Sequence, residues 1–386
     1  MSHLFQTYSR WDITVKEAKG SYLVDENDKE YLDFVQGIAV SNLGHCNQAV
    51  TEAVKAQLDK VWHVSNMFHY PVQEQVAKKL TEHSDGDLVF FCNSGAEANE
   101  AAIKLARKKT QKKNIITFTQ SFHGRTYATM AATAQEKIKI GFGPMLEGFH
   151  YLPYNDAESL QSFEGEDIAA VMLEVIQGEG GVNPAEESFL EAVKTFCEEK
   201  DALLIIDEIQ TGIGRTGKPF AYQHYNLSPD IMTLAKGLGN GFPIGAIVGK
   251  KELGDAFSPG SHGTTFGGNM LSMAAADAVT TEIFNEEFLK DVEQKSEYLI
   301  EKLKTELDVP TVKSIRGKGF IIGIECTEEI QPVLLKLQEQ GLLVMPAGPN
   351  VIRLLPPLTV TKAEVDTAVT KIKEAIYAVS TVNSKG

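Results

Sequence analysis

The sequence predicts an α/β protein in which a large domain with a mainly parallel central sheet is joined to a smaller α+β domain. Three observations carry that expectation. From about Gln48 to Asn285, short apolar segments alternate with helical patterns, as repeated βα units require. Beyond residue 286 the texture changes to a long amphipathic helix followed by separate strand and helix patterns. Ahead of both, residues 22–34 (YLVDENDKEYLDF) set two short apolar segments around a polar turn and read as a hairpin. The expected division is an N-terminal segment, 1–50, contributing to the small domain; a large domain, 51–285; and a C-terminal small domain, 286–386.

The elements follow in order. Strand-like apolar segments fall at 88–91, 114–118, 169–175, 202–207, 230–234 and 244–248. The stretch 286–306 carries helical periodicity, 319–325 is strand-like, and 330–340 is helical again. A last helix opens at Thr361, where Thr-x-x-Glu to Glu364 forms a capping box whose two side chains satisfy each other's free backbone N–H.

Composition narrows the function classes. The chain has 386 residues, enough for two domains with a substantial core, and 43% hydrophobic with 23% charged residues is ordinary for a globular protein. Its net charge of −15, from 52 acidic against 37 basic residues, repels phosphate and argues against partnership with nucleic acid or an anionic membrane. Cys46, Cys92, Cys197 and Cys326 are scattered, so neither a disulfide framework nor a metal site is expected. Without a basic-then-apolar leader pattern or a run near the roughly 18 to 20 apolar residues that span a bilayer, the expected location is the cytoplasm.

Five segments bear chemistry. Residues 92–100 (CNSGAEANE) follow the apolar run LVFF and lead into a helix. A small-residue turn there presents free N–H groups and the positive helix end to a phosphate, with Ser94, Gly95 and Ala96 as donors. The same residues also suit an ordinary turn capped by Ser94. Residues 202–208 (ALLIIDE) deliver Asp207 to the carboxyl edge of the sheet, where a desolvated carboxylate needs a cationic or protonated partner. A metal-binding or capping acid is the alternative.

Residues 212–217 (GIGRTG) spell a GxGxxG, but no amphipathic helix follows, so a glycine-rich surface loop is expected rather than a dinucleotide site. Residues 230–241 (DIMTLAKGLGNG) carry Lys236 from an apolar stretch into three glycines. Small neighbours admit a bulky group, and desolvation lowers an amine's pKa so that it can attack a carbonyl. Residues 121–126 (SFHGRT) offer Phe122 for stacking and Arg125 for a carboxylate, or else a core ring and a structural ion pair. His123 reads as a packed or hydrogen-bonded histidine.

Together these segments resemble the class III (ornithine-type) aminotransferases of pyridoxal phosphate (PLP) fold type I. The likeness runs from about Gly37 to Pro357 through SGAEANEA, FHGRT, EVIQGEGG, DEIQTGIGRTG, LAKGLGNGFPIGA, HGTTFGGN and VIRLLPPL. It implies a PLP-dependent transaminase that carries its cofactor as a Schiff base on Lys236, with Asp207 holding the ring nitrogen and Gln210 the ring oxygen. It implies that Phe122 stacks on the ring and that the phosphate rests on Gly95 and Ala96. Thr265 would come from the neighbouring subunit of a homodimer with shared active sites.

The resemblance further implies that Arg125 grips the carboxylate remote from the reacting amine. Arg353 would bind the α-carboxylate of glutamate, with Glu179 as its partner when the other substrate is present. Ile38 stands where ornithine aminotransferases use a tyrosine, and Glu179 where 4-aminobutyrate aminotransferases typically lack the acid. The branch so indicated moves the δ-amine of N2-acetylornithine to 2-oxoglutarate, giving the semialdehyde and glutamate, a step of arginine biosynthesis. Succinylornithine and N-succinyldiaminopimelate remain alternative donors, with ornithine and 4-aminobutyrate behind them.

Overall fold

A computed structural model describes residues 3–383 of the chain. Seven strands form the central sheet in the spatial order Leu88–Cys92, Gly245–Gly249, Ile231–Leu234, Leu203–Asp207, Ile168–Leu173, Asn114–Phe118 and Phe149–Leu152. Gly245–Gly249 runs antiparallel to both its neighbours, and every other pairing is parallel. The mainly parallel sheet is therefore as the alternation predicts. Its central strands are near-continuous apolar runs because helices cover both faces: all six residues of Ile168–Leu173 are buried. Phe149–Leu152 is a strand the sequence reading missed, since an edge strand is only half buried and FHYL shows no clean alternation.

Outside this sheet, Val312–Lys318, Ile321–Cys326, Val351–Leu354 and Met345–Pro346 form a second, antiparallel sheet. The hairpin Tyr22–Asp25 with Glu30–Asp33 is joined by Val15–Lys19 on one side and by Leu342–Leu343, parallel, on the other. The strand Glu30–Asp33 thus pairs with the last quarter of the chain. The helix Glu286–Glu306 spans the stretch expected of it. At the last helix, Lys362–Asn383, Thr361 N–H donates to Glu364 Oε2 (2.6 Å) and Glu364 N–H to Thr361 Oγ1 (3.2 Å), so the capping box is formed.

One expectation is overturned. The glycine-rich segment after Thr211 is not a surface loop: residues 211–216 are buried, and Arg215 is among the largest fully buried side chains. Its guanidinium donates to the carbonyls of Phe320 and Pro356 and to Asn42 Oδ1, while Asn42 Nδ2 donates to the carbonyl of Ile213 (2.8 Å). Burial pushes Arg215 down to about 9, and amide carbonyls rather than a carboxylate take its Nη1 and Nη2 donors. The glycines are there because neighbours pack on the backbone: a Cβ on Gly214, whose φ is +80°, would lie 2.5 Å from Ile283 Cγ2.

Candidate active site

The strand Leu203–Asp207 ends on a buried carboxylate at the carboxyl edge of the sheet. Asp207 Oδ2 accepts from Asn99 Nδ2 and faces His123 Nδ1, both at 2.8 Å, and Oδ1 accepts from Ile209 N–H at 3.0 Å. His123 meets Oδ2 through Nδ1, and its buried Nε2 has no partner among the described residues. The histidine is hydrogen-bonded, as expected, but its partner is the site aspartate itself. Asn99 was not anticipated. Its signal was a lone amide on the alanine-rich buried face of the helix Gly95–Thr110, beside Ala98, Ala101 and Ala102.

A cavity of about 420 Å³ opens above this carboxylate. Its walls bring together nine of the predicted site residues: Ser94, Gly95, Ala96, Phe122, Arg125, Glu179, Asp207, Gln210 and Lys236. Val40, His123, Glu174 and Ile209 line it as well. At one end stands the N-terminus of Gly95–Thr110. Glu97 N–H is taken by Ser94 Oγ (3.2 Å) and Ala98 N–H by the Ser94 carbonyl (3.0 Å). The N–H groups of Gly95 and Ala96 have no acceptor among the described residues, because a helix start leaves them orphaned. Ser94 therefore caps the turn, and the turn still presents two free donors.

Lys236 reaches the cavity from the loop after Ile231–Leu234. Its backbone φ of +42° lies in the left-handed region, a conformation that costs a non-glycine residue on the order of 1 to 3 kcal/mol. The glycines beside it are required by crowding: a Cβ on Gly237 would lie 2.3 Å from Asn42 Nδ2, and one on Gly239 2.2 Å from the Phe242 carbonyl. The side chain is open to the cavity, yet protein surrounds it closely, and burial lowers its pKa. Arg353 lowers it further, while Glu179, Asp207 and Glu174 oppose.

The Arg353 side chain is fully buried behind Glu179, on the strand Val351–Leu354. Its Nη1 donates to Glu179 Oε1 (2.6 Å), the Gly178 carbonyl (3.0 Å) and Gln210 Oε1 (3.1 Å). Its Nε and Nη2 have no partner among the described residues. Burial acts to raise the Glu179 pKa, but Arg353, with help from Lys236 and Gln210, holds it below the usual carboxylate value. Arg125 is exposed at the mouth, its guanidinium 5.8 Å from the Phe122 ring centre. Glu174 is buried, accepting from Phe122 N–H (3.1 Å) and Gly178 N–H (3.3 Å). Burial pushes its carboxyl up to about 7, with Asp207 adding to the rise and His123 opposing it.

Thr265 is not in this cavity. It is exposed, and lines a separate depression with Asn93, Glu97 and His262. Among the described residues no cluster of histidine, cysteine or acidic side chains could hold a metal ion. No helix among them is long and apolar enough to cross a membrane.

The cavity's polar groups fit PLP. Two free N–H donors at a helix start suit its phosphate, a buried carboxylate with no lysine or arginine partner suits a protonated ring nitrogen, and a lysine with a lowered pKa suits its carbonyl. Comparison with known proteins agrees. The family described as class-III aminotransferase matches residues 6–376. An acetylornithine aminotransferase from Bacillus subtilis is 68% identical over 384 residues, 99% of this chain and all of that one. Among solved structures, an N-acetylornithine aminotransferase from Stenotrophomonas maltophilia superposes with a TM-score of 0.84 at 35% identity, covering 97% of this chain and 98% of its own. An ornithine aminotransferase from Toxoplasma gondii, with PLP at its active site in partial occupancy, gives 0.94 at 32% identity, over 99% and 94%.

Proposed function

The chain belongs to the class-III aminotransferase family and is a PLP-dependent transaminase, and on that premise we propose that it moves the δ-amino group of N2-acetylornithine to 2-oxoglutarate. The products are N-acetylglutamate 5-semialdehyde and glutamate, a step of arginine biosynthesis. The observation that carries this reading is the pair of arginines. Arg125 stands exposed at the cavity mouth, while Arg353 is buried behind Glu179. An N2-acylated donor has a single free carboxylate, far from its reacting amine, and needs one open arginine. With Glu179 in place, Arg353 offers no positive charge to a wrongly oriented carboxylate. The five-carbon diacid has a second carboxylate next to its reacting carbon, which Arg353 serves once Glu179 moves away.

When bound, PLP supplies an electrophilic carbonyl and a protonated ring that draws electrons from the bond to be broken. Lys236 would hold it, and Lys236 Nζ, once freed by the incoming amine, would take the proton from the δ-carbon of the donor, a role that the lowering of its pKa by burial favours. Asp207, oriented by Asn99 and His123, would keep the ring nitrogen protonated. Phe122 would cover one ring face, Gln210 would donate to the ring oxygen, and Gly95 and Ala96 would bind the phosphate with Ser94 capping their turn. Arg125 would position the donor.

A homodimer completes the site in this reading. Trp62, Met67, Phe68 and Phe266 are each at least 60% exposed. The two segments that bear them adjoin, with His63 and Phe266 ring centres 5.2 Å apart and Asn66 Nδ2 donating to the Gly267 carbonyl at 2.9 Å. An apolar patch of this kind beside the exposed Thr265 suits a second copy that lends its Thr265 to the phosphate. Free cysteines, with Cys46 exposed, support a cytoplasmic location.

The test is amino-donor profiling of the purified protein with 2-oxoglutarate. Glutamate formation should be fastest with N2-acetylornithine and slow with ornithine and 4-aminobutyrate, with ping-pong kinetics. Faster turnover of N2-succinylornithine or N-succinyldiaminopimelate would reassign the acyl group, and a preference for ornithine would refute the reading.

A further inference from the structure

Glu174 lines the cavity yet takes no part in the chemistry above. It follows directly on the strand Ile168–Leu173, and its backbone is fixed by Tyr154, whose hydroxyl donates to the Glu174 carbonyl at 2.7 Å. Each of its carboxyl oxygens accepts from a different loop. Oε2 takes the N–H of Phe122, and Oε1 takes the N–H of Gly178. Neither the Arg353–Glu179 nor the His123–Asp207 pair includes it. An unpaired buried carboxyl is costly, and an apolar residue in its place would avoid the cost.

What the two loops carry gives the carboxyl its use. Phe122 is a wall of the cofactor cavity. The Gly178 carbonyl accepts from Arg353, and the next residue, Glu179, is the partner of Arg353. Gly178 is also wedged against Gln210, since a Cβ there would lie 2.0 Å from Gln210 Oε1, the same oxygen that accepts from Arg353. The Gly178 α-carbon thus abuts the Gln210 amide that Arg353 holds, and Glu174 accepts from the N–H of the same residue.

We propose that Glu174 is a positioning residue that ties the Phe122 wall of the cofactor site to the Gly178–Glu179 loop, and thereby holds Arg353 in register for the second substrate. The assignment rests on the aminotransferase reading above. It predicts selectivity between the two half-reactions, which general loosening of the fold does not.

Glu174→Gln tests it, because an amide has one acceptor oxygen and must turn its NH₂ toward one of the two N–H groups. The Michaelis constant for 2-oxoglutarate should rise about 10-fold, as for one buried donor left without its acceptor, and that for N2-acetylornithine less than about 3-fold. In an Arg353→Ala background the same change should move the 2-oxoglutarate constant less than about 3-fold, since its route is gone. PLP titrated into the apo-protein and followed by absorbance, without turnover, should bind more weakly to Glu174→Gln. Equal rises for both substrates, full additivity with Arg353→Ala, or unchanged PLP affinity would each overturn the proposal. If Glu174→Gln does not fold, Glu174→Asp, too short to span both loops, is read by the same criteria. Failure of both to fold, seen by far-UV circular dichroism, makes the residue structural and also overturns it. A wild type inactive on both substrates would sink the functional reading alone, leaving the PLP titration to decide the tie to Phe122.

Discussion

Replacing Asp207 by asparagine keeps the shape of the side chain and removes its charge. In the wild type two carboxylate oxygens serve three donors, Asn99 Nδ2, His123 Nδ1 and Ile209 N–H. The variant has one acceptor oxygen. If it faces Asn99 and His123, the new NH₂ meets the Ile209 N–H; if it faces Ile209, the NH₂ meets the other two. Either way at least one buried donor is stranded, at about 1 to 3 kcal/mol. The cofactor's ring N–H also loses a charged partner, worth a further ~1.5 to 3 kcal/mol. PLP affinity should therefore fall roughly 10- to 100-fold or more, read by absorbance titration of the apo-protein. The rate of amino transfer from N2-acetylornithine in a single turnover should fall on the order of 10² to 10³-fold, as for loss of a group that stabilises developing charge. A variant with PLP affinity within about 2-fold and transfer rate within about 3-fold of wild type would refute the role assigned to Asp207.

Three further outcomes are expected. Burial pushes Glu208 up to about 7 from an ordinary 4.5, with Thr211, Tyr222 and Ala221 pulling down and Asp207 pushing up. Because the folded value is raised, this stabilising contribution is complete below about 4.5 and is lost as pH rises through about 7. Wild type should therefore lose stability against Glu208→Gln by a few kcal/mol between pH 5 and 8, roughly, in urea titrations. Arg125→Ala should raise the Michaelis constants for both substrates, whereas Arg353→Ala should raise mainly that for 2-oxoglutarate, each by on the order of 10²-fold from loss of a charged contact, in steady-state assays. Phe68→Asp, at a position 64% exposed, should shift sedimentation toward monomer and weaken PLP binding together. Monomer with full PLP affinity would remove Thr265 from the partner's site.

Much of the fold was legible because its signals are local. The periodicity of 286–306 and the reciprocal Thr361 and Glu364 side chains each specify an element within a few residues. Lys236 and Asp207 stood out for the same reason, as charges terminating apolar strands that the sheet delivers to one edge. Long-range features were less legible. Arg215 binds carbonyls more than 100 residues away, and nothing in GIGRTG shows that it is buried. Arg353 lies within an apolar strand and takes its meaning from Gly178, Glu179 and Gln210, of which the family resemblance anticipated only Glu179 as its partner. The edge strand Phe149–Leu152 and the amide of Asn99 were missed, because half-burial and the hydrogen bonds of one side chain leave little trace in a pattern.

The central claim is that PLP is held covalently by Lys236. Holoenzyme reduced with borohydride, digested and examined by mass spectrometry reads the attachment point directly. The account requires the reduced PLP adduct on the peptide containing Lys236, and its loss with the visible absorbance band in Lys236→Ala. An adduct on another lysine, or a Lys236→Ala variant that keeps both the band and steady-state turnover, would contradict it.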